Sequence, residues 1–149
     1  MGSRDTRERL IWHGMFLFFL GLLTGLTLPA LQVARLGLSA HVSALMGAFF
    51  LMILGLIWTH VRLAPRARSV TFGLALYASY VNWGANLLGG IFGGSKMLPI
   101  AAGGQAAGAA WQETLVSIGL VSCALAILAC SLFLLWGLRR GGSQQEEPA

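Results

Sequence analysis

Four apolar runs, each long enough to cross a lipid bilayer, constrain the fold of this chain more than any other feature. They cover residues 11–33, 42–61, 70–92 and 113–138. A helix needs about 20 apolar residues to cross the hydrocarbon core. The chain is 56% hydrophobic and only 10% charged. The sequence therefore predicts an all-α integral membrane protein, folded as one four-helix transmembrane bundle over residues 11–138.

Basic residues predict how these helices are oriented. Eight of the ten precede the first run, lie between the second and third, or follow the fourth: Arg4, Arg7, Arg9, Arg62, Arg66, Arg68, Arg139 and Arg140. Loops rich in arginine stay in the cytoplasm. We therefore expect both termini there, in a multi-pass protein of the inner (cytoplasmic) membrane. Residues 1–10 form a polar leader and residues 139–149 a disordered tail; a signal peptide is the alternative for the first run.

Several classes of function lack the residues that they need. The arginines flank apolar runs and are not interleaved with exposed aromatic residues, which argues against nucleic acid as a partner. Cys123 and Cys130 are seven residues apart in one run, too far for a bridge within a helix. The sequence contains no catalytic triad, close carboxylate pair, phosphate loop or HExxH motif. An enzyme built from this chain would need a cofactor for its chemistry.

Two amides stand out in the third run. Asn82 and Asn86 are four residues apart, so a helix presents both on one face. An amide in hydrocarbon is costly unless it faces a partner, a cavity or a ligand. Hydrogen bonding between helices is one interpretation, and a binding site is the other. The predicted topology places Asn86 in the same half of the bundle as His41, Lys96 and Glu113.

The three histidines allow two kinds of haem site. His41 and His60 are nineteen residues apart on one helix, or about 28 Å, and cannot share a metal. His13 and His60 could meet at the cytoplasmic side and hold an electron-transfer haem. His41 suits a haem with one histidine ligand and an open position, and the small residues Ala44 and Ala48 would let a flat macrocycle lie close. The alternative is that all three are interfacial residues and that the alanines pack helices.

Short motifs along the chain resemble the hydroxylaminobenzene mutase family and, more distantly, the membrane styrene oxide isomerases. They are Trp12-His-Gly-Met-Phe-Leu-Phe-Phe-Leu-Gly-Leu-Leu-Thr-Gly25, Gly37-Leu-Ser-Ala-His41, Asn82-Trp-Gly-Ala-Asn86 and Gly94-Ser-Lys-Met-Leu-Pro-Ile100. The resemblance covers roughly residues 10–138. It implies a four-helix membrane isomerase that binds haem b between the subunits of a homotrimer, with His41 as the iron ligand.

Some positions depart from the pattern of the styrene oxide isomerases. Those relatives carry an acid where this chain has Asn82, a tyrosine near Gly90 and an asparagine at the position of Gly47. The scaffold and the iron ligand therefore carry over better than the acid and base groups. These departures argue against epoxide isomerisation as the native reaction.

The resemblance and the residues together predict a mutase that converts arylhydroxylamines to ortho-aminophenols by a redox-neutral hydroxyl transfer. Asn82 and Asn86 would orient the substrate, a small aromatic molecule arriving from the lipid. Lys96 would hold a haem propionate or polarise the leaving oxygen. The alternatives are an epoxide isomerase of the styrene oxide isomerase type and a non-enzymatic haem-carrying or structural membrane subunit. The sequence does not decide the roles of a further set of polar and aromatic residues: His13, His60, Tyr77, Tyr80, Trp83 and Glu113.

Overall fold

The computed structural model describes residues 3–94, 96–103 and 108–142, and all regular structure in these ranges is helical. The helices are α1 (Ser3–Thr27), α2 (Ala34–Ile57), α3 (Pro65–Phe92), the short α4 (Pro99–Ala102) and α5 (Ala110–Gly142). A single 3-10 turn follows α1 at Leu28–Ala30, and another follows α2 at Trp58–His60.

Three helical stretches are long and apolar enough to span a membrane. They cover residues 4–30, 34–60 and 110–139. Helix α3 is 28 residues long, or about 42 Å, but it is less apolar because it contains Asn82 and Asn86. These stretches confirm the prediction of a helical membrane protein.

The ends of α1 differ from those expected. Helix α1 begins at Ser3 and so includes residues 3–10 of the predicted polar leader. Asp5 and Arg9 are four residues apart, a spacing at which opposite charges support a helix. At the other end α1 stops at Thr27 and not at residue 33, because Pro29 cannot continue an α-helix.

Two later helices begin earlier than the apolar runs do. Helix α2 starts at Ala34, so His41 lies two turns inside the helix and not at its start. Helix α3 starts at Pro65, a residue that fits the first helical position since its missing N–H has no partner there anyway. Helix α5 continues past residue 138 to Gly142, and residues 143–149 of the predicted tail lie outside the described residues.

Close approaches at glycine hold the helices together. Helix α2 packs between α1 and α3, and α5 packs on the far side of α3. A Cβ atom added to Gly21 would meet Ala44 at 2.9 Å, and one added to Gly14 would meet the carbonyl of Ala48 at 2.9 Å. The small face of α2 next to His41 is thus filled by α1. The expectation that Ala44 and Ala48 leave room for a macrocycle is therefore wrong.

The interior between the packed helices is apolar, and so is the outer surface of the protein. Leu10, Leu17, Leu51 and Trp58 are fully buried where α1, α2 and α3 meet. The outward faces of α1 and α5 carry large exposed apolar side chains, among them Phe19, Leu26, Ile118, Leu125 and Leu132. An apolar surface of this kind is stable in lipid and not in water.

Candidate functional site

A cleft of about 520 Å³ lies between α2, α3 and α5. This volume is within the range of small-molecule sites. Its walls are mostly apolar, with a few polar groups. The lining residues are Ser43, Met46, Gly47 and Phe50 of α2, Ala78, Ser79 and Asn82 of α3, and Leu120, Cys123, Ala124, Ile127 and Ser131 of α5. Among the described residues, the backbones of α2 and α5 do not contact each other, so α3 forms the floor of the cleft between them.

The two amides predicted to form a site are paired with each other. The Asn86 side chain is 6% exposed. Its Nδ2 donates to the backbone oxygen of Asn82 at 2.8 Å and to Asn82 Oδ1 at 3.1 Å. The second bond turns Asn82 Oδ1 toward Asn86 and leaves Asn82 Nδ2 as a donor at the cleft. Asn86 thus positions Asn82, and Asn82 is the residue that reaches the cavity.

The other polar groups in the cleft are already satisfied by their own helices. Ser79 Oγ donates to the Ala75 oxygen at 2.8 Å, and Ser131 Oγ donates to the Ile127 oxygen at 2.8 Å. Ser43 and Cys123 donate to carbonyls three residues earlier in the same way. Among the lining residues, the Asn82 amide is therefore the donor that remains for a ligand.

His41 lies on the opposite side of α2 from this cleft. Its Nδ1 donates to the Gly21 carbonyl of α1 at 2.7 Å. A Cβ atom added to Gly25 would come within 2.9 Å of the same Nδ1, so glycine at position 25 makes room for the ring. Ser43, two residues on, lines the cleft, and two residues turn a helix by about 200°. Within one chain, then, His41 and Asn82 do not share a wall.

A second set of hydrogen bonds joins α1 to α3. Trp83 Nε1 donates to Thr24 Oγ1 at 3.0 Å, one turn from Gly21. His13 Nδ1 lies 3.1 Å from the Tyr80 hydroxyl, which also donates to the His13 carbonyl at 3.3 Å. These contacts fix the position of α1, which supports His41, relative to α3, which carries Asn82.

The connection after α3 is held by Glu113. Gly93 ends α3 in the left-handed region at φ 76°, where glycine is favoured. The carboxylate of Glu113 is 6% exposed and accepts from the Lys96 backbone N–H at 3.0 Å and from the Gly108 N–H at 3.2 Å. The side chain of Lys96 itself is exposed beyond the end of α3. Its predicted catalytic role stays a prediction.

The described residues do not bring His13 and His60 together. Gly55 of α2 packs against Arg7 and Ile11 of α1, so His60 lies level with the first residues of α1. That level is roughly 13 Å along the helix axis from His13. His60 is exposed beside Thr59, and His13 is engaged by Tyr80. A haem held by these two histidines does not fit this arrangement.

Comparison with known proteins decides the family. The profile of the styrene oxide isomerase family matches residues 6–139. Hydroxylaminobenzene mutase HabB of Ectopseudomonas oleovorans is 44% identical over 143 residues, which cover 95% of this chain and 87% of that protein. The chain belongs to the styrene oxide isomerase family. Hydroxylaminobenzene mutase HabA of the same organism is 35% identical over 128 residues, which cover 85% of this chain and 94% of the relative. No solved structure matches significantly.

Membership of this family confirms the predicted enzyme class, an isomerase. It removes the alternative of a non-enzymatic subunit. The positions that depart from the styrene oxide isomerase pattern have little space in this fold. A Cβ atom at Gly90 would lie 3.0 Å from the Gly37 nitrogen, and one at Gly47 would lie 3.1 Å from Leu17 and 3.2 Å from Ser79. The structure thus accounts for small residues at both positions.

Residue patterns alone did not identify several members of the site. Ser43, Cys123 and Ser131 line the cleft, but small residues in apolar runs usually serve helix packing. Thr24 is a similar case, because its role depends on a partner 59 residues away. The spacing of Asn82 and Asn86 was the sequence signal for this face of α3, and of these two residues Asn82 lines the cleft.

Proposed function

We propose that this protein is a membrane-embedded mutase that converts arylhydroxylamines to ortho-aminophenols. The names of the relatives HabB and HabA support hydroxylaminobenzene as the model substrate. The observation that carries the proposal is the Asn82 amide, a positioned donor in an otherwise apolar or internally satisfied cleft. A flat aromatic ring suits the apolar walls, and a single N–OH group suits the one remaining donor.

The reaction is an isomerisation and needs no external oxidant. The N–O bond of the hydroxylamine breaks, a C–O bond forms at the ortho carbon, and the proton displaced from that carbon ends on nitrogen. In water, solvent competes for the electron-poor ring. Walls made of Phe50, Leu120 and Ile127 exclude that water. The Asn82 Nδ2 donor would hold the hydroxyl oxygen close to the ring while the bond to nitrogen is broken.

His41 is the residue that we propose would hold haem b, through its Nε2 atom. Because a carbonyl oxygen only accepts, the 2.7 Å contact with Gly21 fixes the proton on Nδ1 and leaves the Nε2 lone pair free. Metal-binding histidines are commonly oriented by such a bond. Among the described residues, no three histidine, cysteine or acidic side chains cluster as a metal site, which fits a single protein ligand. Haem iron, when bound, supplies a Lewis-acidic centre for the hydroxyl oxygen.

The complete site would be formed between subunits. His41 and Asn82 lie on opposite sides of α2, so a second copy is needed to bring a His41 side chain to the cleft of its neighbour. A symmetric homotrimer would meet this requirement three times. Lys96, exposed at the end of α3, would pair with an anionic group such as a haem propionate.

The membrane arrangement that we propose has four spans. Helix α3 joins the three apolar stretches as the fourth helix of a transmembrane bundle, since its length suffices and its amides are covered by the cleft. The arginine-rich ends of α1, α3 and α5 then face the cytoplasm of the inner membrane. The substrate would reach the cleft from the lipid.

The test is an assay on purified protein in lipid with and without haem supplementation. We expect phenylhydroxylamine to give 2-aminophenol, with a Soret band that is lost in His41→Ala. Formation of 4-aminophenol alone, as in solvent trapping, would contradict the proposal. A parallel assay with styrene oxide tests the epoxide isomerase alternative, for which phenylacetaldehyde is the expected product.

A further inference from the structure

A second cavity lies at the arginine-rich end of the fold, away from the cleft. It has a volume of about 400 Å³. Its lining consists of Thr6 and Arg9 of α1, Trp58 and Leu63 after α2, and Pro65, Arg68, Ser69 and Phe72 of α3. Neither the proposed reaction nor the haem ligand uses any of these residues.

The two arginines of this cavity are held over aromatic rings of its walls. The Arg9 guanidinium lies 5.2 Å from the centre of the Phe72 ring, and that of Arg68 lies 5.3 Å from the Trp58 ring. Arg68 also donates to the Trp58 carbonyl at 3.0 Å. Side chains restrained in this way lose little entropy when they bind an anion. The guanidinium fork is well suited to phosphate oxygens.

Further groups around the cavity favour negative charge. Pro65, Arg68 and Ser69 belong to the first turn and a half of α3, whose N-cap residue Ala64 supplies no side-chain cap. The N-terminus of such a helix carries a partial positive charge.

The position of the cavity suggests where its ligand comes from. Arg9 directly precedes the buried Leu10, and Trp58 closes the second membrane-spanning stretch at residues 34–60. This level is the boundary between the apolar helix surfaces and the charged loops. Lipid phosphates lie at the same depth in a bilayer.

We propose that this cavity binds a phosphate group through Arg9 and Arg68, and that the phosphate is the headgroup of an anionic phospholipid. Ser69 and Thr6 lie beside the arginines with hydroxyl groups. The bound lipid would join α1 to the start of α3 at the face opposite Lys96.

The experiment uses the full chain, purified in detergent and stripped of lipid. Thermal unfolding is followed with added phosphatidylglycerol, with phosphatidylcholine and with inorganic phosphate. We expect phosphatidylglycerol to raise the unfolding temperature of the unaltered protein and phosphatidylcholine to have little effect. Stabilisation by inorganic phosphate at millimolar concentration, and not by the lipid, would assign the site to a free anion and overturn the lipid assignment. No stabilisation by either would overturn the proposal as a whole.

Substitutions test whether the stabilisation by phosphatidylglycerol arises at this cavity. Arg9→Gln and Arg68→Gln should each weaken the lipid-dependent shift, with roughly tenfold weaker apparent binding for the loss of one charged hydrogen-bond donor. Arg66→Gln removes the same charge from the same helical turn, but Arg66 is exposed and outside the cavity. It should therefore keep the shift. An equal loss in all three variants would show diffuse attraction to the arginine-rich surface and refute a defined site. Arg68 also donates to the Trp58 carbonyl, so its loss can lower the stability of the fold itself. The change in unfolding temperature on adding lipid is therefore measured separately for each variant. Arg9→Gln tests the site without removing the Trp58 contact.

Discussion

At the scale of single residues, the site depends on an amide that is oriented by another amide. Asn86 is buried and makes both of its observed bonds to Asn82. Sequence spacing was sufficient to place the two side chains on one face of α3. It was not sufficient to distinguish their roles, because which amide reaches the cavity depends on how α2 and α5 pack beside α3.

Replacing Asn82 with alanine should lower kcat for phenylhydroxylamine by roughly 100-fold or more, the usual cost of one positioned donor. The measurement is product formation per bound haem. Ser79→Ala is the matched control, since the Ser79 hydroxyl lines the same cleft but donates to its own helix. Equal losses in the two variants would mean that the cleft is only being repacked.

Gly25 offers a way to move His41 without altering it. In Gly25→Ala the new methyl group would lie 2.9 Å from His41 Nδ1, so the ring must leave the Gly21 carbonyl. We expect roughly 10- to 100-fold weaker haem binding, the typical cost of losing the group that orients a metal ligand. Titration of the purified protein with haem measures this. Gly84→Ala, where nothing lies within 4 Å of the added atom, should bind haem normally.

At the scale of helices, the apolar runs predicted that the long helices exist but not where they begin. Polar residues at a membrane surface are equally compatible with helix and loop, so the apolar runs did not show that residues 3–10 and 34–41 are helical. Pro65 lies before the third apolar run and occupies the first position of α3. The apolar runs placed His41 just before the second helix. Because α2 begins at Ala34, His41 instead lies inside the helix and packs against α1.

The connection between α3 and α5 should depend on the charge of Glu113. Its carboxylate accepts from two backbone N–H groups on either side of the connection. In Glu113→Gln the side-chain amide would keep one acceptor and turn its own N–H toward the other donor. We expect this variant to lower the free energy of unfolding by about 2 kcal/mol and to speed proteolysis between residues 94 and 108. The exposed Glu8→Gln should change neither quantity, and unchanged proteolysis of Glu113→Gln would remove this role.

At the scale of the whole molecule, the separation of His41 from Asn82 makes assembly testable. Coexpressed His41→Ala and Asn82→Ala subunits should recover activity that neither variant has alone. With random mixing, about a quarter of the sites combine an intact His41 with an intact neighbouring Asn82 in a closed ring. Activity and haem content of the mixed oligomer, isolated through two affinity tags, are the measurements. Mixed oligomers without activity would place both residues in one subunit's site.

The sequence could not have predicted this separation. The direction in which each face of α2 points is set by contacts with distant residues, such as Gly21 against Ala44 and Gly37 against Gly90. Apolar periodicity carries little information about such contacts in a membrane helix, because the faces toward lipid and toward protein are equally apolar.

The proposed entry of substrate from the lipid into the cleft between α2, α3 and α5 changes what substrate concentration means for this enzyme. A site that fills from the surrounding lipid responds to the mole fraction of substrate in the membrane and not to its molarity in the buffer. We expect the apparent KM to rise in proportion to the amount of lipid at fixed enzyme, and more hydrophobic arylhydroxylamines to show lower aqueous KM values at similar kcat. Partition between water and bilayer would then be part of the specificity of the protein.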